Sequence, residues 1–103
     1  MTARDKLGFA LGMAQKAGKL ASGDMAVRFS VKSGKAVLLL LAADISDNAR
    51  KCFANLAVNV GLPVMTSGLD KHELGRAVGK GQRTAVAVLD KGFTKMIMES
   101  IRL

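Results

Sequence analysis

The chain has 103 residues, enough for one domain with a single hydrophobic core and too few for two. Half of the residues are hydrophobic, which excludes a disordered chain, and 16 Lys and Arg residues against 8 Asp and Glu residues leave a net charge of +8. Such an excess on a small domain favours nucleic acid or another anionic surface as the partner.

A membrane span and a secretory leader are both disfavoured. The longest apolar run, from Ala36 to Ala43, is far shorter than the roughly 20 residues that a spanning helix needs. The opening MTARDKLGF lacks the apolar core of a signal peptide. Cys52 is the only cysteine, so an internal disulfide and a cysteine-rich zinc site are excluded, and a cytoplasmic location is expected.

Two helices are predicted to open the chain. The first runs from about Ala3 to Ala17 with Thr2 as its cap, and Gly8 and Gly12 would let another backbone approach it closely. The short KLAS that follows is a candidate edge strand. A second helix is predicted from about Asp24 to Ser33, with Ser22 or Asp24 expected to cap its free N–H groups.

The second helix has an unusual outer face. Val27 and Val31 are one turn apart and are predicted to point inward. Met25 and Phe29 fall on the opposite face beside two cations, and we expect at least one of these two apolar side chains to pack against a neighbouring element.

Strands and helices alternate over the rest of the chain. AVLLLLAAD, from Ala36 to Asp44, is predicted to be a central strand covered on both faces, and Val64–Thr66 and Thr84–Leu89 two further buried strands. Caps are expected at Ser46, Asp70 (with Glu73 as a capping box) and Asp90. The helix after Ser46 should bury an apolar stripe made of Ala49, Cys52, Phe53, Leu56 and Val60. This order predicts one α/β domain over residues 1–103, a three-layer α/β/α sandwich with helices on both faces of a central sheet.

An enzyme is not expected, because few residues offer catalytic chemistry. His72 falls in the first turn of a capped polar helix, where a surface position is the simpler interpretation, and no metal site or cofactor is predicted. GKGQR lacks the Gly-Lys-Ser/Thr ending of a phosphate-binding loop. Asp44 is explained by capping, although its place at the carboxyl end of the central strand also makes it a candidate for ligand binding.

Two basic segments are the strongest local signal for function. Lys16–Lys35 holds five cations and one acid around Ser22-Gly23-Asp24, at the start of a predicted helix whose free N–H groups attract anions. Gly79–Arg83 adds Lys80 and Arg83 on a loop. If the fold brings both segments to one edge, they form a clamp for a polyanion. An ordinary capped surface helix with solvated lysines is the alternative for the first segment.

Several segments together resemble the ribosomal L7Ae family of kink-turn RNA-binding proteins. They are KAGKLASG, SGKAVLLLLAAD, DISDN, ELGRAVGK and DKGFTKMI, and they span nearly the whole chain. The similarity is greatest to the small bacterial YlxQ-type members. It implies a sandwich with a mixed sheet of about four strands, and RNA bound by the loop and start of helix two together with the loop before the last strand. On this basis the predicted RNA-binding residues are Lys19, Ser22, Gly23, Asp24, Met25, Arg28, Lys32, Asp44, Ile45, Lys80 and Arg83.

The sequence departs from the family where kink-turns are recognised. Members that bind kink-turns carry Thr-Asn-Glu after the glycine and a lysine on the next turn, whereas Asp24, Met25, Ala26 and Phe29 stand here. Phosphate contacts are therefore expected to outweigh base-edge contacts. The predicted function is that of a non-enzymatic, ribosome-associated, monomeric protein that binds structured RNA, ribosomal RNA among the candidates. The alternative is a protein-interaction module on the same fold that uses Met25 and Phe29 as its contact patch.

Overall fold

The structure is a computed structural model that describes residues 2–101, and these residues form five helices and four strands. The helices are α1 (Ala3–Lys16), α2 (Asp24–Lys32), α3 (Asp47–Val58), α4 (Lys71–Ala77) and α5 (Lys91–Ile101). The strands are β1 (Leu20–Ser22), β2 (Leu38–Leu41), β3 (Val64–Thr66) and β4 (Ala85–Val88). The order of elements is the one that the sequence predicts.

The four strands form one mixed sheet in the order β1-β4-β2-β3. β4 is antiparallel to both β1 and β2, while β2 and β3 are parallel. The leucine run of β2 therefore occupies an inner position, as predicted. β1 is the expected edge strand.

Each face of the sheet is covered by helices, because side chains of a strand alternate between its two faces. Leu38 and Leu40 pack in one cluster with residues of α1, α4 and α5, while Leu39 and Leu41 pack in a second cluster with residues of α2 and α3. All four leucines are at most 1% exposed. This confirms the three-layer α/β/α sandwich and explains why β2 has no polar alternation.

Most helices begin at the predicted caps. Thr2 and Asp70 each form a capping box with the residue three positions later, and the Ser46 hydroxyl accepts a hydrogen bond from the Ala49 amide. The Asp90 carboxylate likewise accepts from the Phe93 amide. In the first box, hydrogen bonds from Thr2 lower the pKa of Asp5.

α2 is the exception, because its N-cap is Gly23 and no side chain caps it. The expectation that Ser22 or Asp24 would do so is therefore wrong. The reason is local: Gly23 adopts φ 91° and ψ 146°, a conformation that favours glycine, and the cap position thus falls on a residue without a side chain.

Three burial predictions are also corrected. β3 is an edge strand with Val64 and Thr66 exposed, because no further strand lies beyond it. α3 fully buries only Phe53 and Ala57, so Cys52 and Val60 lie at the surface. The buried stripe of α3 is therefore narrower than the spacing of its apolar residues predicts.

The outer face of α2 gives the third correction, since neither Met25 nor Phe29 is packed. Met25 is 85% exposed and Phe29 is 66% exposed. Both side chains are directed away from the buried Val27 and Val31, which lie against the sheet as predicted.

Close backbone approach occurs at Gly75 and not at Gly8 or Gly12, where it was expected. A Cβ built on Gly8 meets no atom within 4 Å, and one on Gly12 lies 3.7 Å from the Ala77 carbonyl oxygen, an ordinary contact. A Cβ on Gly75 in α4 would lie only 1.8 Å from the carbonyl oxygen of Gly81. Glycine is therefore required at position 75, where α4 touches the loop before β4.

No helix in residues 2–101 has the length and apolar character needed to cross a bilayer.

Candidate nucleic-acid interface

The strand pairings bring the two basic segments to one edge of the sheet. Ser22, the last residue of β1, pairs with Val86, and Leu41, the last residue of β2, pairs with Ala85 at the start of β4. The chain entering α2 and the loop entering β4 consequently lie side by side. This is the arrangement that the clamp hypothesis requires.

A cavity of about 300 Å³ lies between these two segments. Its lining combines the start of α2, one aromatic side chain of α3, the first residue of α4 and the loop before β4. The lining residues are Gly23, Asp24, Val27, Phe53, Lys71, Gln82, Arg83, Thr84 and Ala85. Both halves of the predicted site thus contribute to one concave surface.

The start of α2 presents backbone rather than side-chain donors. The first internal helical bond runs from the Val27 amide to the Gly23 carbonyl oxygen (3.0 Å), so the preceding amides of the turn have no helical partner. With no side-chain cap, these N–H groups are available to an oxygen of a ligand, and the helix dipole favours a negatively charged one.

Arg28 is held beside the cavity by two intramolecular contacts. Its Nε donates to Asp24 Oδ2 at 2.9 Å, and its guanidinium carbon lies 5.3 Å from the centroid of the Phe53 ring. The ion pair neutralises the only acid in this segment. Arg28 therefore offers a positioned guanidinium plane rather than a freely moving one.

The loop before β4 is fixed on α4 by backbone contacts. The Lys80 amide donates to the Gly75 carbonyl oxygen at 2.8 Å, and the Arg83 amide donates to the Lys71 carbonyl oxygen at 3.0 Å. Together with the close approach at Gly75, these bonds define the path of the loop.

The two cations of this loop differ in exposure and in hydrogen bonding. The Lys80 side chain is exposed, whereas Arg83 is half-buried and donates from Nη1 to the Gln82 carbonyl oxygen at 2.9 Å. Arg83 Nε is buried and has no hydrogen-bond acceptor among the described residues. Lys80 suits contact with an outlying phosphate, and Arg83 suits contact with a group that enters the cavity.

Asp44 and Ile45 lie at the same edge of the sheet, where both stabilise the fold. Asp44 Oδ1 accepts a hydrogen bond from the Lys71 amide at 2.9 Å, which satisfies a free donor at the start of α4. Ile45 is 8% exposed and belongs to the core cluster beneath α2 and α3. Direct contact of either residue with RNA remains a prediction.

Lys19 and Lys32 are not brought to the cavity. The Lys19 carbonyl oxygen accepts from the Leu89 amide, which places its backbone at the opposite end of β1 from Ser22. Lys32 ends α2, about 12 Å along the helix axis from the first turn at a rise of about 1.5 Å per residue. A role in RNA binding at these positions stays a prediction.

Of the nine lining residues, only Gly23, Asp24 and Arg83 were predicted from the sequence to bind RNA. Phe53 was assigned only to the core, Gln82 was discussed only as part of GKGQR, and Lys71 was not singled out. Lys71 could have been found, because it follows the capping residue of a helix that starts near the carboxyl end of the sheet strands. The contribution of Phe53 depends on how α3 packs beside α2, for which the sequence carries no local signal.

The remaining polar chemistry of this region is sparse. His72 is exposed and its Nε2 lies 3.2 Å from the Gln82 side-chain nitrogen, in agreement with the predicted surface position. Within residues 2–101, no group of three or more His, Cys, Asp or Glu side chains is placed to hold a metal ion.

Comparisons with known proteins agree on the relationship. Residues 5–98 match the model of the ribosomal protein L7Ae/L30e/S12e/Gadd45 family. The chain is 33% identical over 88 residues to the RNA-binding protein YlxQ of Bacillus subtilis, covering 85% of this chain and 87% of that protein. It is 28% identical over 91 residues to the RNA-binding protein YlxQ of Enterococcus faecium, with 88% and 86% covered.

Solved structures show the same fold. A protein of unknown function from Bacillus halodurans superimposes with a TM-score of 0.86 at 30% identity, covering 95% of this chain and 98% of that one. A 15.5kD RNA binding protein from Giardia lamblia superimposes with a TM-score of 0.75 at 18% identity, covering 97% and 85%. The chain belongs to the ribosomal protein L7Ae/L30e/S12e/Gadd45 family.

Proposed function

We propose that this protein is a non-enzymatic, ribosome-associated RNA-binding protein that binds structured RNA at the sheet edge where α2 begins. The observation that carries the proposal is the cavity shared by the start of α2 and the loop before β4. The net charge of +8 and the relatives named RNA-binding proteins support the same partner.

The chemistry of binding follows from the groups at this edge. Uncapped N–H groups of the first turn of α2 donate to a phosphate or sugar oxygen, while Lys80 and Arg83 neutralise phosphates on the adjacent strand of RNA. Such contacts give affinity without specifying sequence. Ribosomal RNA is the candidate ligand, and the protein acts as a monomer in the cytoplasm.

Charge reversal at the site tests this proposal. Arg28→Glu combined with Lys80→Glu is expected to weaken binding to a ribosomal RNA fragment by at least about tenfold at low salt and to reduce the salt dependence of the affinity, because phosphate contacts are lost. The matched control is Lys6→Glu with Lys95→Glu, which makes the same charge change at exposed positions of α1 and α5 on the other face of the sheet.

Binding is measured by fluorescence anisotropy over a range of salt, and thermal unfolding verifies that both variants fold. Wild-type affinity that is absent at low salt, or independent of salt, contradicts the proposal. An equal loss in both double variants would show that only net charge matters and would remove the sheet edge from the proposal.

A second candidate function is favoured by one observation, the exposure of Met25 and Phe29. As a protein-interaction module, the domain would present these side chains to a partner protein. The two functions differ in their response to Arg28→Glu with Lys80→Glu, which is expected to weaken RNA binding in the first case and to leave partner binding intact in the second.

A further inference from the structure

The outer face of α2 carries two large apolar side chains in water. Met25 and Phe29 are four residues apart and therefore lie one above the other on the same side of the helix. They are 85% and 66% exposed, while Val27 and Val31 pack the helix against the sheet. Within the described part of the chain, neither side chain belongs to a core cluster.

Cations surround this apolar face. The Lys35 ammonium lies 5.8 Å from the centroid of the Phe29 ring, and Arg28 and Lys32 occupy neighbouring positions on the helix. Asp24 is the one acid between residues 24 and 35, and it is already paired with Arg28. A ring with an ammonium group over it and two thirds of its surface exposed complements a ligand that combines a π-face with a phosphate.

We propose that this face is a stacking surface for unpaired bases of the bound RNA, with Phe29 stacking on the base and Lys32 and Lys35 contacting its flanking phosphates. The inference rests on the RNA-binding function proposed above and extends it to a substrate class. Bases in a continuous duplex are covered by their neighbours, so only a bulge, loop or single strand exposes the π-face that Phe29 needs.

The position of the face relative to the cavity supports one continuous surface. Met25 lies in the first turn of α2, directly after the residues that line the cavity, and Phe29 follows one turn later. RNA whose backbone contacts the start of α2 therefore passes over Met25 and presents its next unpaired base to Phe29. Phosphate binding and base stacking are then successive contacts along a single strand.

Two RNA hairpins separate stacking from simple phosphate binding. One has a stem with a bulge of three adenosines, and the other has the same stem fully paired. Because stacking of one base on an aromatic side chain contributes about tenfold to affinity, the protein is expected to bind the bulged hairpin about tenfold more tightly. Phe29→Leu, which keeps an apolar side chain without a π-face, is expected to abolish this preference and leave binding to the paired stem unchanged.

Phe9 provides a matched control. It is 63% exposed, close to the value for Phe29, and lies on α1 across the sheet. Phe9→Leu is expected to alter binding to neither hairpin.

Fluorescence gives a second readout, since the chain contains no Trp and no Tyr. In Phe29→Trp the single indole is expected to be quenched when the bulged hairpin is added at saturating concentration and not when the paired stem is added. Phe9→Trp is expected to show no quenching with either RNA.

The outcomes distinguish the two proposals. Failure to bind either hairpin at low salt overturns the RNA-binding function. Equal affinity for both hairpins, unchanged by Phe29→Leu and without quenching of Phe29→Trp, overturns the stacking surface and leaves RNA binding intact. If Phe29→Leu retains full RNA affinity but loses a purified protein partner, the face belongs to that partner and the inference is wrong.

Discussion

Helices α2 and α4 begin at the same edge of the sheet, yet their first turns are built differently. At the start of α4, Asp70 Oδ1 accepts from the Glu73 amide at 2.8 Å and Glu73 Oε1 accepts from the Asp70 amide at 3.0 Å. Asp44 reaches across from the end of β2 to accept the Lys71 amide. α2 begins at Gly23 without any side-chain cap.

The difference separates a structural helix start from one that is open to a ligand. The Lys71 and Glu73 amides at the start of α4 both have side-chain acceptors within the protein, so this turn is stabilised before any partner arrives. The corresponding donors of α2 have no side-chain acceptor, so in the proposed interface an RNA oxygen that meets them displaces only water. In that interface α4 holds the loop before β4, and α2 supplies donors to the RNA.

The largest expected effect comes from Gly75→Ala, which tests whether α4 holds the loop before β4. Its Cβ would lie 1.8 Å from the Gly81 carbonyl oxygen, so the backbone of the loop must move. We expect a loss on the order of 3 kcal/mol in the free energy of unfolding, measured by urea denaturation.

Gly8→Ala is the control for this change, because its Cβ meets nothing within 4 Å in the interior of α1. It is expected to stabilise the protein by about 0.5–1 kcal/mol through helix propensity. If Gly75→Ala proves as stable as the wild type, the loop is not fixed on α4 and its path in the unbound protein is not defined.

A smaller effect is expected from Gly23→Ala, which acts on the start of α2 itself. No atom lies within 4 Å of the added Cβ, so the cost of about 1–3 kcal/mol comes from the φ of 91° alone. The turn is expected to re-orient its N–H groups and to lose RNA affinity as well as stability.

Gly81→Ala is the control for Gly23→Ala. It also adds a methyl group in open space at this edge, but Gly81 does not have a left-handed φ. It is expected to change the free energy of unfolding by about 0.5 kcal/mol or less. Unaltered RNA affinity in Gly23→Ala, despite a loss of stability, would contradict a role for the backbone donors of α2.

The smallest effects are expected from replacing Asp70 at the start of α4 and Asp24 at the start of α2. Asp70→Ala removes a cap and is expected to cost about 1 kcal/mol in unfolding free energy without altering RNA affinity. Asp24→Ala removes only an exposed ion pair, worth about 0.5 kcal/mol or less, and is expected to strengthen RNA binding because a negative charge leaves the cavity. Urea denaturation and anisotropy measure both; weaker RNA binding in Asp24→Ala would contradict the electrostatic part of the comparison.

Features of the fold that depend on local chemistry were predictable from the sequence. The caps at Thr2, Ser46 and Asp70 involve atoms only three residues apart, and the four leucines of β2 could be buried on both faces only in an inner strand. That the two basic segments lie at one edge of the sheet could not be predicted outright, because it depends on β4 pairing between β1 and β2.

Predictions failed where burial depends on distant elements. Cys52 and Phe53 are adjacent on α3, yet Phe53 is 3% exposed and Cys52 lies at the surface, since α2 and the sheet cover only a narrow strip of α3. Lys19 and Lys32 were grouped with Gly23 by their proximity in sequence. The structure places Lys19 just before β1 and Lys32 at the end of α2, both away from the cavity, and their contact with RNA stays a prediction.

The position of β4 in the sheet also constrains when the protein can fold during synthesis. β4 contains residues 85–88, and both β1 and β2 bond to it, so the first strand of the chain has no neighbour until the last strand has been made. A nascent chain that has not yet released these residues can form helices and the pairing of β2 with β3, but not the complete sheet. The edge proposed to bind RNA, which needs the pairing of Ser22 with Val86, thus forms only after residues 85–88 have been made and released.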